Sequence, residues 1–279
     1  MKDGSERRDG PMYRQLRRAP HACAVACILM AGIISPGRCW AYRPFISTDA
    51  AVADPKEVEI ELGYFTLERD KDENAFVIPR LVFNYGLFRN WEAVAEFAIR
   101  RGPDADINVI DPAVSLKGVV KEGVLQDKEG FGIAVEASLL LPSTEAGERK
   151  FGFEAIGILS DKLGPFTFHI NGGLGVERST ADLVGIWGVI GELPVATGVR
   201  LVGEVNGAKP RREDLQTSGL LGAIWQPWPS KNVWLDTGVR RGFTGNVPDW
   251  EFTFGITFGF SVLSPGELFR ETRVTPGMR

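Results

Sequence analysis

The stretch Trp250-Glu251-Phe252-Thr253-Phe254-Gly255-Ile256-Thr257-Phe258-Gly259-Phe260-Ser261-Val262 decides the fold. Phe252, Phe254, Ile256, Phe258, Phe260 and Val262 fall on one face of an extended chain. Glu251, Thr253, Gly255, Thr257, Gly259 and Ser261 fall on the other. Strict period-two alternation specifies a strand with one oily face and one small, polar face. Four Phe on one face would make the exposed edge of a soluble sheet an aggregation site. In the wall of a closed barrel the oily face meets lipid, and the small polar face lines the lumen.

The same residues, from Thr253 and Gly255 to Phe258 and Phe260, resemble the C-terminal insertion signal of bacterial outer-membrane barrels. They depart from it in one respect: residues 261–279 follow, where such chains usually stop. The resemblance implies the barrel assembly machinery and outer-membrane lipid as partners.

The other end of the chain fits export. Arg14, Arg17 and Arg18 precede an apolar run, Ala22 to Ile34, and a small-residue site at Cys39-Trp40-Ala41. This is the order of a secretory signal peptide, and the run is too short to span a bilayer as a helix. Cleavage is expected after Ala41, with either Met1 or Met12 as the start. The expected division is a signal peptide over 1–41, a periplasmic N-terminal segment over 42–55, an outer-membrane barrel over 56–263 and a periplasmic tail over 264–279.

Cys23, Cys27 and Cys39 are the only cysteines and all lie in the leader. The remainder has no disulfide, thiolate metal site or cysteine nucleophile. The leader also carries seven Lys/Arg and three acids, so its removal takes the net charge from −4 to −8. An acidic export product is a poor nucleic-acid binder, and no nucleic-acid partner is expected.

Beyond the leader there is no long apolar helix, so a membrane span must be built of strands. About twelve segments are readable: 56–67, 75–86, 91–99, 112–121, 131–141, 151–160, 166–175, 183–192, 197–206, 215–226, 232–241 and 250–262. The fold class is therefore all-β, an antiparallel up-and-down transmembrane barrel. The even count returns the last strand to the periplasm. The joins at 86–90, 161–165, 193–196 and 227–231 are tight, which assigns them to the periplasmic end. The stretches 68–74, 100–108, 142–150 and 207–214 are more charged and become outer loops. Glu122 to Gly130 breaks the pattern, being long yet on the periplasmic side.

Several pieces together resemble a known family. They are Tyr42 to Ala50 after the leader, the Glu-rich strand Glu57 to Tyr64, and Asn84-Tyr85-Gly86-Leu87 with Trp91-Glu92. Gly164 to Gly173 and Val202-Gly203-Glu204 complete the set. The chain is similar to the bacterial outer-membrane family labelled "MetA-pathway of phenol degradation", or transporter. The resemblance implies a small barrel with poorly defined substrates, hydrophobic or aromatic compounds among them.

Inside that barrel the register directs Glu59, Glu61, Glu92, Glu96, Glu136, Glu154, Glu204 and Asp236 into the lumen. Arg80, Lys117, Arg200 and Arg240 join them, with His169 and Asn171. One reading is a cation-leaning channel for small solutes, because carboxylate rings concentrate cations. The other is an occluded barrel whose charges pair across the lumen, or a surface-binding barrel.

A lipid hydrolase is a third possibility, since His169-Ile170-Asn171-Gly172 partly resembles the stretch that twelve-stranded outer-membrane phospholipases use. No Ser follows at the required spacing, so no enzymatic role is expected. A single histidine beyond the leader gives no His-rich metal site, and no cofactor motif is present.

Overall fold

The computed structural model describes residues 34–35, 44–71, 73–228, 231–245 and 247–262. The expected leader, its cleavage site and the tail after Val262 lie outside the described residues, apart from Ile34–Ser35. The chain forms two compact units. One comprises residues 36–261; the other comprises 1–35 and 262–279, where Ile34–Ser35 is a two-residue strand.

The larger unit is a closed antiparallel barrel of twelve strands in meander order. The first six are β1 Glu57–Asp70, β2 Glu73–Phe88, β3 Trp91–Arg101, β4 Ile107–Lys121, β5 Gly132–Leu140 and β6 Gly152–Leu163. The rest are β7 Phe166–Val176, β8 Leu183–Ala196, β9 Val199–Pro210, β10 Gln216–Trp225, β11 Val233–Gly242 and β12 Trp250–Val262. β12 closes the ring on β1, from Trp250↔Arg69 to Ser261↔Glu57. Closure leaves no edge strand to aggregate.

The alternation of β12 is realised in space. Phe252 and Phe254 are 43% and 45% exposed on the outside, whereas Thr253 and Thr257 are 6% and 0% exposed. The same contrast runs round the wall. Val114, Leu116, Val135, Leu139, Ile170, Leu201 and Val205 are exposed, while Glu92, Lys117, His169, Asn171 and Glu204 are buried. This is an inside-out distribution: apolar side chains face outward and ionisable ones face in.

Several expected joins change. The stretch 68–74 is absorbed into a β1–β2 hairpin with residues 71–72 between the strands, 100–108 shrinks because β4 starts at Ile107, 193–196 falls within β8, and 207–214 shrinks because β9 runs to Pro210. The anomalous connection 122–131 carries a 3₁₀ turn, Val124–Gln126.

Apart from register shifts near the short-turn ends, at Gly86/Phe88, Val119/Lys121 and Val199/Arg200, the ladder is continuous over most of the ring, but not at one level of β12 to β4. Phe254 pairs with Phe65 and Gly255 with Gly63, leaving residue 64 as a bulge. Between β1 and β2 no pairs form across 64–65 and 78–79. Val77 pairs with Arg100 but Arg80 with Ala98, and Glu96 pairs with Ala113 but Ala98 with Ile110. Pro79 and Pro112 have no N–H to give to a ladder, so the chain tolerates them at bulges. Asp111, just before Pro112, adopts φ +52°. Each bulge flips the in/out parity of its strand, so on β2 Ala75 and Val77 are buried above it, and Asn84 and Gly86 below.

Candidate functional site

The interior is occupied by the chain's own N-terminal segment. Residues 44–54 touch β3, β4, β6, β7, β9 and β11 on their buried faces, which only a path across the lumen allows. The segment expected as a periplasmic lead-in, 42–55, therefore lies within the wall over its described part.

The contacts follow the segment from the β11 side to β1. Pro44 lies against Gly238, where an added Cβ would stand 3.2 Å from its Cγ. Phe45 packs with Trp234 on the buried cluster Val202, Leu220 and Ile224. The Ile46 N–H donates to both oxygens of Glu204 at 3.2 Å, and the Ser47 N–H donates to Oε1 at 2.7 Å. Arg240 holds the same carboxylate at 2.6 Å and itself donates to Asn206 and Ser218. Glu204 thus accepts from two consecutive peptide groups and a guanidinium, which compensates much of the cost of burying its charge.

Asn171 mimics a neighbouring strand. Its Oδ1 accepts the Thr48 N–H at 3.1 Å and its Nδ2 donates to the Thr48 carbonyl at 2.7 Å. Lys117, 2% exposed, donates to Thr48 Oγ1 and lies 3.8 Å from Asp49 and 3.6 Å from Glu92. Glu92 in turn accepts the Ala53 N–H at 2.7 Å. The Ala50 N–H donates to Ser160 Oγ at 2.9 Å, and Gln126 of the 3₁₀ turn donates to the Ala50 carbonyl at 2.7 Å. Leu125 of the same turn packs on Ala50, Ala134 and Ile158. The long connection 122–131 thus covers the segment from the short-turn end. At the foot, the Lys56 N–H donates to the Gly86 carbonyl, and an added Cβ on Gly86 would lie 1.9 Å from Asp54 O.

Ser160 and His169 revise the hydrolase reading in one respect. A serine does stand beside the histidine, with Ser160 Oγ 2.8 Å from Nδ1 and Glu192 3.5 Å from Nε2. Ser160 is 0% and His169 1% exposed, and the hydroxyl accepts the Ala50 N–H. The trio, steadied by Arg200 on Glu192 at 2.9 Å, anchors the segment and is sealed from substrate.

On the loop side of the segment lie two adjoining cavities of about 420 and 450 Å³, both floored by Ile46 and Ser47. Small-molecule sites have this size. The first is lined by eight carboxylates, Glu61, Glu96, Glu136 and Glu154 among them, against Arg80, Lys117 and Arg178. Asp111 accepts from Arg80 at 2.8 Å, and Arg178 donates to the carbonyls of Leu141 and Pro112.

Two groups outside the strands have shifted protonation. Burial pushes the Glu148 carboxyl up, against the pull of Arg178. Hydrogen bonds from Asn90 and Arg89 hold Glu122, at the opposite rim, below its ordinary value.

Of the fourteen residues directed inward by the sequence register, none is exposed. Glu59, Glu61, Glu92, Lys117, His169, Asn171, Glu204, Asp236 and Arg240 are buried; Arg80, Glu96, Glu136, Glu154 and Arg200 are partly buried. Glu92, Lys117, Asn171 and Glu204 meet the segment directly, and His169 through Ser160. Asp111, Ser160, Arg178 and Gln126 escaped the sequence reading. Ser160 continues the inward parity of Glu154 on β6, and the anomalous length of 122–130 marked the neighbourhood of Gln126 without singling it out. Asp111 and Arg178 have no comparable signal.

No family model matches the chain, and no curated protein sequence matches it. Among solved structures the chain is similar to an outer membrane channel from Pseudomonas putida F1. The identity is 12%, over 76% of this chain and 97% of that one, with a TM-score of 0.53. It is also similar to the NanC porin, at 11% identity over 74% of this chain and all of that one, with a TM-score of 0.50. At such identities the likeness is one of fold: a small closed β-barrel.

Proposed function

We propose that this chain is an outer-membrane barrel of a Gram-negative bacterium, exported by a cleaved leader, that passes small solutes. Its axis is held closed by its own segment 44–54. One observation carries the reading: five peptide N–H groups of that segment, those of Ile46, Ser47, Thr48, Ala50 and Ala53, are bound by side chains of four wall strands. A barrel built only for rigidity gains its pairing from wall to wall. Here Glu204, Asn171, Ser160 and Glu92 hold a separable peptide, above which lies a vestibule. The apolar outer belt and polar interior support membrane insertion. The fold likeness to an outer membrane channel and a porin supports the coarse assignment. The acidic vestibule favours cations over anions for whatever charged species pass, and the resemblance to the phenol-pathway family favours aromatic or hydrophobic solutes.

The test is conductance in planar bilayers. Deleting residues 44–53 should turn a mostly silent barrel into a steadily open, cation-preferring pore. Equal conductance in the two forms would remove the gate from the account, and silence in both would remove the channel.

A further inference from the structure

At the long-loop rim, β1, β3, β9 and β11 each carry a cation on the outer face of the wall. Glu68 lines the vestibule, so its neighbour Arg69 on β1 faces outward. Arg100 reaches Glu68 within the wall, which turns Arg101 of β3 outward. Arg240 holds the inward Glu204, which turns Arg241 of β11 outward. Ala208 lines the second cavity, which turns Lys209 of β9 outward. Among the described residues, no Asp or Glu takes an outward strand position at this rim. The opposite side of the barrel, β4 to β8, exposes Ile107, Leu139, Phe153, Val176 and Leu183 there instead.

Three of the cations form a row with aromatic side chains between them. Arg69 is the register partner of Trp250 on β12, and Trp250 is the partner of Arg241. Directly opposed side chains on a sheet stand about 4.5–5.5 Å apart, so the two arginines flank the indole. The Arg241 guanidinium lies over the Trp250 ring, 4.9 Å from its centre. On the other side Arg101 pairs with Phe76, and Phe76 with Leu67, two residues before Arg69. Asp249 is the acid beside the row. It meets Arg241 Nη1 at 3.2 Å, and the two side chains remain 42% and 43% exposed.

Outward charge is costly in hydrocarbon and costs little at the interface, which sets this row at headgroup level. Trp250 beside it is the aromatic that marks that level. Guanidinium groups bind phosphate through paired N–H donors and stack on aromatic rings.

We propose that Arg69, Trp250 and Arg241, extended by Arg101, bind a phosphorylated glycolipid of the outer leaflet. The two guanidiniums clamp a sugar phosphate of a lipid A headgroup, and the sugar lies on Trp250. The acyl chains run down the apolar wall below, over Phe252 and Leu67, which are register partners. The inference goes beyond solute passage. It rests on the reading of the chain as an outer-membrane barrel with its long loops outside.

The probe is diphosphoryl lipid A, titrated onto the full-length barrel in detergent micelles and counted by native mass spectrometry. The same lipid stripped of both phosphates, and inorganic phosphate, are the comparison probes. Each variant is first checked for heat-modifiable barrel. Wild type should bind the diphosphoryl lipid roughly tenfold more tightly than the stripped lipid. Arg69→Gln/Arg241→Gln should lose roughly that tenfold, and Arg69→Lys/Arg241→Lys should regain part of it. Arg211→Gln/Arg212→Gln removes the same charge from the neighbouring loop and should leave binding unchanged.

Equal weakening by the two Gln pairs overturns the site, because net charge alone then explains the binding. Equal binding of the stripped lipid overturns the phosphate clamp. Displacement of the lipid by an equimolar amount of inorganic phosphate overturns the glycolipid as the ligand. If the Arg69/Arg241 Gln pair does not assemble, Arg101→Gln carries the test: weaker binding supports the row, and unchanged binding overturns it. A wild-type barrel that fractionates outside the outer membrane rejects the underlying reading. A wild-type barrel that resides there and ignores lipid A rejects the site alone.

Discussion

Replacing Glu204 by Ala should release the N-terminal segment. The carboxylate accepts the Ile46 and Ser47 N–H groups and pairs with Arg240. Hydrogen bonds to a charged partner contribute about 1.5–3 kcal/mol each, so losing two removes roughly 3–6 kcal/mol of attachment. Water admitted by the truncation offsets part of this, leaving about 3 kcal/mol. At 1.4 kcal/mol per decade, the ratio of released to seated segment rises about a hundredfold. Glu204→Gln retains a carbonyl acceptor and should fall in between. The assay is open probability in single-channel recordings, with heat-modifiability as the check on folding. Open probability of Glu204→Ala within twofold of wild type, in a folded barrel, would refute the idea that this carboxylate holds the segment.

Four further outcomes are expected. Gly188→Ala places a Cβ 2.0 Å from Ser47 Oγ and should also raise open probability; adding Ser47→Gly should restore the closed state. Phe254→Lys sets a charge on the outward face and should cost roughly 2–4 kcal/mol if at mid-membrane, seen as loss of heat-modifiable barrel, whereas Phe254→Leu should assemble normally. Glu148 binds its proton more tightly folded than unfolded, so its contribution to loop stability is greatest in acid and is lost as pH rises through its raised value. Cleavage of the 141–151 loop by added protease should therefore be slower at pH 5 than at pH 7, with the difference abolished in Glu148→Gln. Amino-terminal sequencing of outer-membrane material should begin at Tyr42; an intact apolar run would reject the leader assignment.

The wall was legible because a barrel strand must alternate. β12, β5 and β9 carry that alternation without interruption, so their number, order and inward residues follow from period two alone. The largest misjudged end is that of β4, which contains Pro112: a bulge shifts the parity by one residue, and a reader counting in twos restarts there, at 112 instead of Ile107. The ends of β1, β6, β8 and β9 were set three or four residues short, because those strands run on into the stretches of Gly, Pro and charge read as joins.

The interior was legible only as an inventory. Glu204 and Lys117 announce a polar lumen, but their ligands come from Ile46 to Ala53, a stretch of small and polar residues with no period to mark it. Its bonds are made by peptide groups, which every sequence possesses equally. The side chains that give its path away are the glycines that make room for it, Gly86, Gly188 and Gly238, and these gain meaning only once the path is known.

Residues 44–54 lie inside the wall, and one cross-link addresses their place directly. Ala50 N and Ser160 Oγ are 2.9 Å apart, so Ala50→Cys with Ser160→Cys brings two thiols together at the sealed end of the lumen. In intact outer membranes an intramolecular disulfide should form in high yield, with no labelling of either thiol by a bulky maleimide. Free thiols, fully labelled and never cross-linked in a correctly folded barrel, would place the segment outside and contradict it.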